Sequence, residues 1–281
     1  MMATSKLQKN ICSLVKVRTL KLETEARSLP DYNGVVVTED ILLVTDYNER
    51  NLRLYSLNNG TLLSSHRLES RPNDVCLISK TEVAVCLWNS IAILSLKSID
   101  DVKPVKTLDV RKGFKWWYSV AKFNSSKLLV SGENYDSILC WGLVSITDGR
   151  LDSTHNICEG YRTHVAIKDN TVYISCWTSY CITEGVYAYD IMNPHKHKLL
   201  YQDQELVPGS IMADRNSVFV CDRNSTRVYQ LTDRGQLVII HTLSSNIYGI
   251  FYDDQHGVLY TTMKYRNVIK LYKMEYLHQP A

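Results

Sequence analysis

The sequence has 281 residues, of which 45% are hydrophobic and 22% are charged, and its formal net charge is +3. This composition excludes a disordered chain, and the small net charge excludes nucleic acid or an acidic membrane as an obligatory partner. No apolar run approaches the roughly 18 residues of a membrane helix, and the first residues lack the apolar stretch of a signal peptide, so we expect a cytoplasmic protein without membrane contact.

The first predicted element is a strand at residues 14–22, where apolar and polar side chains alternate in the segment LVKVRTLKL. Six similar units follow it. Each unit opens with a short apolar strand whose central residue recurs every 39 to 46 positions. These central residues are Val35, Val75, Val120, Val165, Ile211 and Ile250.

Each unit repeats one order of four elements. In the first unit, the polar turn Glu39-Asp40 leads to a second strand at residues 41–45, and a third strand at 52–57 ends in the hairpin turn Asn59-Gly60. A period of about 40 to 50 residues with four strands is typical of propeller blades. The sequence therefore predicts an all-β, six-bladed β-propeller of four-stranded antiparallel blades, forming a single domain over residues 1–281.

The sixth unit lacks a fourth strand, because the chain has only a few residues left after its third. The strand at residues 14–22 has no partner within the first unit. We expect it to complete the last blade and close the ring, which would remove an exposed sheet edge.

The cysteines are expected to be reduced and to bind no zinc, since no pair has the spacing of zinc ligands. Five of the eight fall inside apolar strands, where they are predicted to be small buried side chains. These five are Cys76, Cys86, Cys140, Cys176 and Cys221.

The segment LLVTDYN, which contains Asp46, and the segment VCDRNS, which contains Asp222, resemble the NHL repeat: an apolar strand, an Asp and a short Asn-containing turn. The proline-led entry at Pro72 resembles it too. The whole pattern is similar to the C-terminal propellers of tripartite-motif (TRIM) proteins. That resemblance implies a module that binds proteins or single-stranded RNA. No RING, B-box or coiled-coil pattern is visible, so we expect no ubiquitin-ligase activity in this chain.

The central channel is the place to look for an enzyme, since calcium-dependent lactonases with six-bladed propellers use it. A hard cation needs several oxygen ligands, and catalysis by paired carboxylates needs two acids. The predicted channel mouth offers a single carboxylate, so we expect no catalytic residue, metal or cofactor, and a lactonase-like hydrolase is the weaker alternative. The mouth residues are Asn33, Asp74, Ser119, His164 and Ser210.

The loops that enter each unit and those between its second and third strands should emerge on one face, which would collect large aromatic and basic side chains. This face is predicted to bind a protein partner of a monomeric propeller, or single-stranded RNA as the alternative. Trp116 and Trp117 are consecutive, so one should anchor the loop while the other contacts the partner. The predicted face residues are Trp88, Arg111, Lys112, Lys115, Trp116, Trp117, Arg162, Trp177, Tyr248 and Tyr265.

Overall fold

The computed structural model describes residues 12–24, 30–97, 102–110, 113–177, 184–214, 217–243, 246–263 and 265–276. Within these ranges the chain forms 24 β-strands arranged as six four-stranded antiparallel sheets. The predicted six-bladed β-propeller is therefore confirmed. No helix that could cross a membrane occurs among the described residues.

Each blade is numbered by the order of its innermost strand along the chain. Blade 1 consists of β2 (Tyr32–Thr38), β3 (Ile41–Asp46), β4 (Asn51–Ser56) and β5 (Leu62–Arg67). Blade 2 consists of β6 (Pro72–Ser79), β7 (Glu82–Leu87), β8 (Ile91–Ser95) and β9 (Lys103–Leu108). Blade 3 consists of β10 (Trp116–Lys122), β11 (Lys127–Glu133), β12 (Ile138–Ser145) and β13 (Leu151–Glu159). Blade 4 consists of β14 (Arg162–Lys168), β15 (Thr171–Trp177), β16 (Gly185–Asp190) and β17 (Asn193–Tyr201). Blade 5 consists of β18 (Pro208–Ala213), β19 (Ser217–Asp222), β20 (Arg227–Thr232) and β21 (Leu237–Thr242). Blade 6 consists of β22 (Ile250–Asp253), β23 (Val258–Thr262), β24 (Val268–Tyr276) and the N-terminal β1 (Cys12–Lys21).

The N-terminal strand closes the ring, as predicted. β1 pairs antiparallel with β24, from Cys12 opposite Tyr276 to Lys21 opposite Val268. Side chains at both ends of the strand are buried in the blade, with Cys12 0% and Leu20 2% exposed. Burial on this scale holds the first and last segments of the chain together by the hydrophobic effect as well as by the strand pairing.

The same strand also contacts blade 1. The Arg18 guanidinium donates to the carbonyl oxygen of Leu57 at 3.3 Å, and the backbone N–H of Glu23 donates to the Gly60 oxygen at 3.0 Å. Gly60 has a φ of +79°, and a Cβ there would lie 2.3 Å from the carbonyl oxygen of Lys21. The turn between β4 and β5 therefore needs glycine both for its conformation and for its approach to β1.

The innermost strand of each blade has one edge that pairs with no other strand. Side chains of the preceding blade accept hydrogen bonds from some of the backbone N–H groups at this edge. The Asp74 Oδ2 of blade 2 accepts the Val120 N–H of blade 3 at 3.1 Å. The Ser119 Oγ of blade 3 accepts the Val165 N–H of blade 4 at 3.3 Å. The Ser210 Oγ of blade 5 repeats the contact with the next blade, accepting the Ile250 N–H at 3.2 Å. Sequence-equivalent positions thus link successive blades around the channel.

Small polar residues occupy the second-strand positions opposite these linking residues. The Thr45 and Thr262 hydroxyl oxygens accept the backbone N–H groups of Gly34 and Gly249, both at 2.8 Å. The complete set around the ring is Thr45, Cys86, Ser131, Ser175, Cys221 and Thr262. Cysteine therefore occurs where a small side chain that tolerates burial is required.

The predicted burial of cysteines holds for four of the five. Cys86, Cys140, Cys176 and Cys221 are at most 1% exposed. Burial raises the pKa of the Cys86 and Cys221 thiols well above its usual value, so both stay protonated at neutral pH. Cys76 differs, because it is half-buried on β6 and faces the central cavity described below.

The two aspartates of the NHL-like segments shape the turns that follow their strands. Asp46 accepts the Glu49 N–H at 3.3 Å and forms a buried ion pair with Arg53 Nε at 3.2 Å. Asp222 accepts the Asn224 N–H at 3.0 Å. These carboxylates serve the fold of the loops rather than a site.

Deletion of residues 1–23 should lower the melting temperature and promote aggregation, because it removes β1 and exposes the edge of β24. Thermal melts and size-exclusion chromatography measure both effects. Deletion of residues 1–11 is the control, because it leaves β1 intact and should melt like the full chain. Equal melting of the two deletions would show that β1 does not close the ring.

Two glycine substitutions test the same contact without removing residues. Gly60→Ala should cost about 1–3 kcal/mol more than Gly257→Ala, as overpacking does. Both positions have positive φ, but nothing lies within 4 Å of a Cβ at Gly257.

Candidate functional site: one loop face and the central channel

A row of stacked aromatic rings and cations crosses the predicted face at blades 1 to 3. The rings of Trp88 and Trp116 lie 4.6 Å apart, and Tyr47 meets Trp88 edge-on at 6.5 Å. The guanidinium carbon of Arg71 lies 5.1 Å from the Tyr47 ring, and Lys115 Nζ lies 5.7 Å from the Trp116 ring. We call these five residues the aromatic row.

The aromatic row is only partly buried. The side chains of Tyr47, Trp88, Trp116 and Lys115 are half-buried, and Arg71 is exposed. Lys115 has an acidic neighbour that is distant in the sequence, since β11 brings Glu133 to within 3.8 Å of its ammonium group. Lys115 is therefore a partly neutralised cation at one end of the row.

The two consecutive tryptophans have different environments. Trp117 is 0% exposed and stacks on Phe114 with ring centroids 4.0 Å apart, so it belongs to the core and not to the predicted face. Trp116 is half-buried in the aromatic row. A β-bulge between Trp117 and Ser119 interrupts the pairing of β10 with β11. The geometry thus gives Trp117 the anchoring position and Trp116 the accessible one.

A second group lies over the channel axis at the same face. Arg162 donates to the Tyr248 hydroxyl from one guanidinium nitrogen and to Asn73 Oδ1, at 3.2 Å, from another. Arg223 donates to the same Tyr248 hydroxyl at 3.1 Å. We call Asn73, Arg162, Arg223 and Tyr248 the arginine cluster. Because its members come from blades 2, 4, 5 and 6, nothing in the local sequence pattern could assign Arg223 or Asn73 to it.

Aromatic rings border the arginine cluster. The guanidinium of Arg223 lies 5.0 Å from the Trp177 ring, and Tyr161 lies 5.8 Å from Trp177. Trp177 is half-buried and Tyr161 is 47% exposed. The Arg223 stem passes close to Gly209, where a Cβ would lie 2.6 Å from the Arg223 Cγ.

The remaining predicted face residues are not part of these groups. Tyr265 is 48% exposed and has a φ of +57°. Arg111 and Lys112 lie outside the described residues. The structure therefore places Trp88, Lys115 and Trp116 in the row, and Arg162, Tyr248 and Trp177 in or beside the cluster.

The channel contains a cavity of about 790 Å³ that is lined by the six innermost strands. Asp74, Ser119, His164 and Ser210 line it as predicted for the channel, whereas Asn33 is 5% exposed and does not. The cavity continues along these strands to Lys122, Lys168, Asp169, Asp214 and Asp254. It thus reaches the ends of the strands that lie farthest from the arginine cluster.

The titratable groups of the cavity are perturbed by burial. Burial raises the pKa of Asp74 to about 6, against the opposing effect of the Ser119 hydroxyl that donates to it at 2.5 Å. Burial, with smaller contributions from Arg162 and Arg223, lowers the pKa of His164 to about 3, so its imidazole is neutral at physiological pH. Perturbed groups in a cavity are a feature of active sites, but ring-closing hydrogen bonds perturb them as well.

The carboxylates of the cavity come from four different blades. Asp169, Asp214 and Asp254 line it in addition to Asp74, so it holds more acids than the mouth residues alone suggested. No group of three or more His, Cys, Asp or Glu side chains that could hold a metal ion occurs among the described residues. The arrangement differs from the multi-oxygen site that calcium requires.

No family model matches the sequence. A putative BTB/POZ domain and WD-repeat protein of Acanthamoeba polyphaga mimivirus is 20% identical over 272 residues, which cover 88% of this chain and 54% of that protein. The chain therefore spans about half the length of this relative.

Solved structures show the same fold at low sequence identity. A luciferin-regenerating enzyme has a TM-score of 0.71 and 12% identity, over 94% of this chain and 96% of its own. A gluconolactonase of Xanthomonas campestris has a TM-score of 0.68 and 11% identity, over 94% and 98%. The propeller domain of Swd1 from Myceliophteria thermophila has a TM-score of 0.63 and 11% identity, over 90% and 84%. Two of these structures are named as enzymes and the third only as a β-propeller domain, so the function has to be argued from residues.

The two tryptophans should differ in their contribution to stability. Trp117→Ala should lower the free energy of unfolding by about 3 kcal/mol or more, because it leaves a large cavity in the core. Trp116→Ala should cost less, because part of its ring is already exposed in the folded state. Chemical denaturation of both variants measures the difference, and equal losses would contradict the assignment.

Calcium at millimolar concentration should leave the melting temperature unchanged, since a ligand stabilises only a native state that binds it. The Asp74→Asn variant should show the same flat response. A calcium-dependent rise in the wild type that is absent from Asp74→Asn would reveal a metal site in the channel.

Proposed function

We propose that this chain is a non-catalytic recognition module that binds a protein partner through its aromatic and basic loop face. The aromatic row is the observation that carries the proposal. Tryptophan, tyrosine and arginine are the residue types that dominate binding energy at protein interfaces. Trp88 directly follows β7 and Trp116 begins β10, and both present partly exposed rings at the same end of the propeller.

The row is suited to binding because its side chains already hold each other. Arg71 lies against the rings of Tyr47 and Trp88, and Trp88 stacks on Trp116. Side chains ordered before binding lose less conformational entropy when a partner arrives. Trp117 and Phe114 form the buried stack at this end of blade 3, whereas Trp116 packs against the core with only part of its ring.

The relatives support an interaction role in general terms. The viral relative is named as a BTB/POZ domain and WD-repeat protein, and WD repeats form propellers. The resemblance of Asp46 and Asp222 and their turns to NHL repeats leads us to propose a function like that of TRIM propellers. We extend the proposal to a monomeric, cytoplasmic module without a cofactor.

The channel supports catalysis less well than the face supports binding. Asp74 accepts hydrogen bonds from Ser119, Val120 and Val75, so its oxygens are engaged in linking blades. Ser119 donates to this carboxylate, and no hydrogen bond joins it to His164 among the described residues. A nucleophile activated by a neighbouring base would need that contact or one like it. We therefore propose that the chain is not an enzyme.

Single-stranded RNA is the second candidate ligand, and the same row favours it. Bases stack on exposed aromatic rings next to cations in many proteins that bind single strands. Arg71 and Lys115 lie at the two ends of the row. The small net charge of the chain favours a protein nevertheless, because affinity for nucleic acid comes mainly from contacts with several phosphates.

A partner isolated from native lysate with and without nuclease should bind less tightly to the row variants. We expect Trp88→Ala and Trp116→Ala each to weaken binding by about 2 kcal/mol, as interface hot spots do, with little loss of stability. Met192→Ala is the control, because this side chain is 78% exposed in the turn between β16 and β17 on the opposite face.

Titrations at two salt concentrations separate the two ligand classes. Affinity for a protein that contacts the rings should change little with salt, whereas affinity for RNA should fall steeply. Unchanged binding by both tryptophan variants, together with a loss in Met192→Ala, would place the binding surface on the other face.

A further inference from the structure

The arginine cluster holds two positive charges, and no carboxylate of the described residues forms an ion pair with either of them. Arg162 and Arg223 both donate to the Tyr248 hydroxyl. Their remaining protein acceptor is the neutral amide oxygen of Asn73. Two guanidinium groups that converge on one neutral oxygen repel each other, so the site gains stability when an anion joins them.

Further observations indicate that the charge of this site is poorly compensated. Burial, with a contribution from Arg162 and against the opposing effects of Tyr248 and Asp31, lowers the pKa of Arg223, and its Nη1 is buried without a hydrogen-bond partner. Asn33 of blade 1 lies at the repeat position that Asn73 occupies in blade 2 and Tyr248 in blade 6. Its amide is buried, and neither its Nδ2 nor its Oδ1 has a hydrogen-bond partner. The neighbourhood of the cluster therefore contains unused donors at the channel axis.

The rings beside the cluster limit what can bind there. Trp177 lies against Arg223, and the partly exposed Tyr161 extends the apolar surface away from the axis. A ligand that carries an anionic group next to an apolar group could contact the arginines and the aromatic rings at once. A free inorganic anion would use the cluster alone.

We propose that the arginine cluster binds the carboxylate of an Asp or Glu side chain of the protein partner, with the partner's neighbouring apolar residue packed on Trp177 and Tyr161. This inference rests on the proposed function and names the chemistry that its ligand must carry. A carboxylate is planar and accepts two parallel N–H donors from a guanidinium, which an ammonium cannot offer. The site lies on the propeller axis, beside the aromatic row.

A single carboxylate fits the cluster better than the backbone of a nucleic acid does. Glu133 lies next to Tyr118 and Lys115 on one side, and Asp74 lies in the channel beneath. A chain of phosphates that ran across the face would pass these acids, whereas one inserted side chain meets only the two guanidiniums. Charge complementarity therefore favours an acidic peptide.

An array of immobilised nonapeptides tests the proposal without knowledge of the partner. The central residue is Glu, Asp, Gln, Asn or phosphoserine, and the flanking positions are randomised. We expect the wild-type protein to bind spots centred on Glu or Asp, above all those with an aromatic or aliphatic neighbour. For fluorescein-labelled peptides made from the strongest spots, replacing the acid by its amide should weaken binding about thirtyfold, which corresponds to 2 kcal/mol for loss of one partner of a buried charge pair.

Protein variants then locate the contact. Arg162→Lys and Arg223→Lys retain the charge but lose the paired donors, and both should lose preference for acid over amide. Arg50→Lys is the matched control, because Arg50 is exposed on a loop of the same face and belongs to neither group. The amide-for-acid exchange in the peptide leaves the protein unaltered, so it remains decisive if an arginine variant fails to fold.

Four outcomes would overturn the inference. They are equal binding of acid and amide peptides, stronger binding of phosphoserine peptides than of acidic ones, displacement of the acidic peptide by oligouridylate, and an array without bound spots. Equal binding of acid and amide peptides that is still lost in Trp88→Ala would remove the carboxylate site and leave the proposed protein-binding function intact.

Discussion

The constraint on which this fold depends is the unpaired inner edge of each blade. The first strand of a blade pairs on one side only, and its other edge faces the channel with N–H groups that need acceptors. Asp74, Ser119 and Ser210 supply acceptors to the next blade, so the contacts that satisfy the edge also join the sheets. At the outer side, β1 from the beginning of the chain pairs with β24 and completes the last blade. Polar contacts at the centre and strand pairing at the rim together close the ring.

This constraint explains why the channel and the loop face have different characters. Polar groups in the channel are engaged in holding blades together, and the raised pKa of Asp74 follows from burial among them. The aromatic side chains at the loop face do not link blades in this way. The core beneath them contains the stacked rings of Trp117 and Phe114. Trp88 and Trp116 therefore keep part of their rings exposed at this face. The repeated strands determine the fold, and the loop face is where we propose that recognition takes place.

The repeat could be predicted from the sequence because the alternation within each strand and the punctuation by turn residues are local. The closing strand was predictable for the same reason. Its predicted bounds, residues 14–22, differ from the observed Cys12–Lys21 by two residues at the start and one at the end. The burial of Trp117 could not be predicted, because a bulge in β10 sets the side to which each tryptophan points. Contacts between residues that are distant in the sequence were also not predictable: Glu133 of β11 pairs with Lys115 within blade 3, and Arg162 reaches Asn73 and Tyr248 across the channel. The period of the sequence repeat predicts the spacing of the strands. These contacts depend instead on how strands and loops from different parts of the chain are arranged in space.

Hydroxyl-radical footprinting of the complex with the native partner tests the central claim most directly, because it reports on both faces in one experiment. The loop face carries Trp88, Trp116 and Tyr161, and the opposite face carries the exposed Met192 and His256, all of which react with the radical. Binding through the loop face predicts that the three aromatic residues lose reactivity while Met192 and His256 keep theirs. Protection of Met192 or His256 with unchanged reactivity of the three aromatic residues would contradict the account.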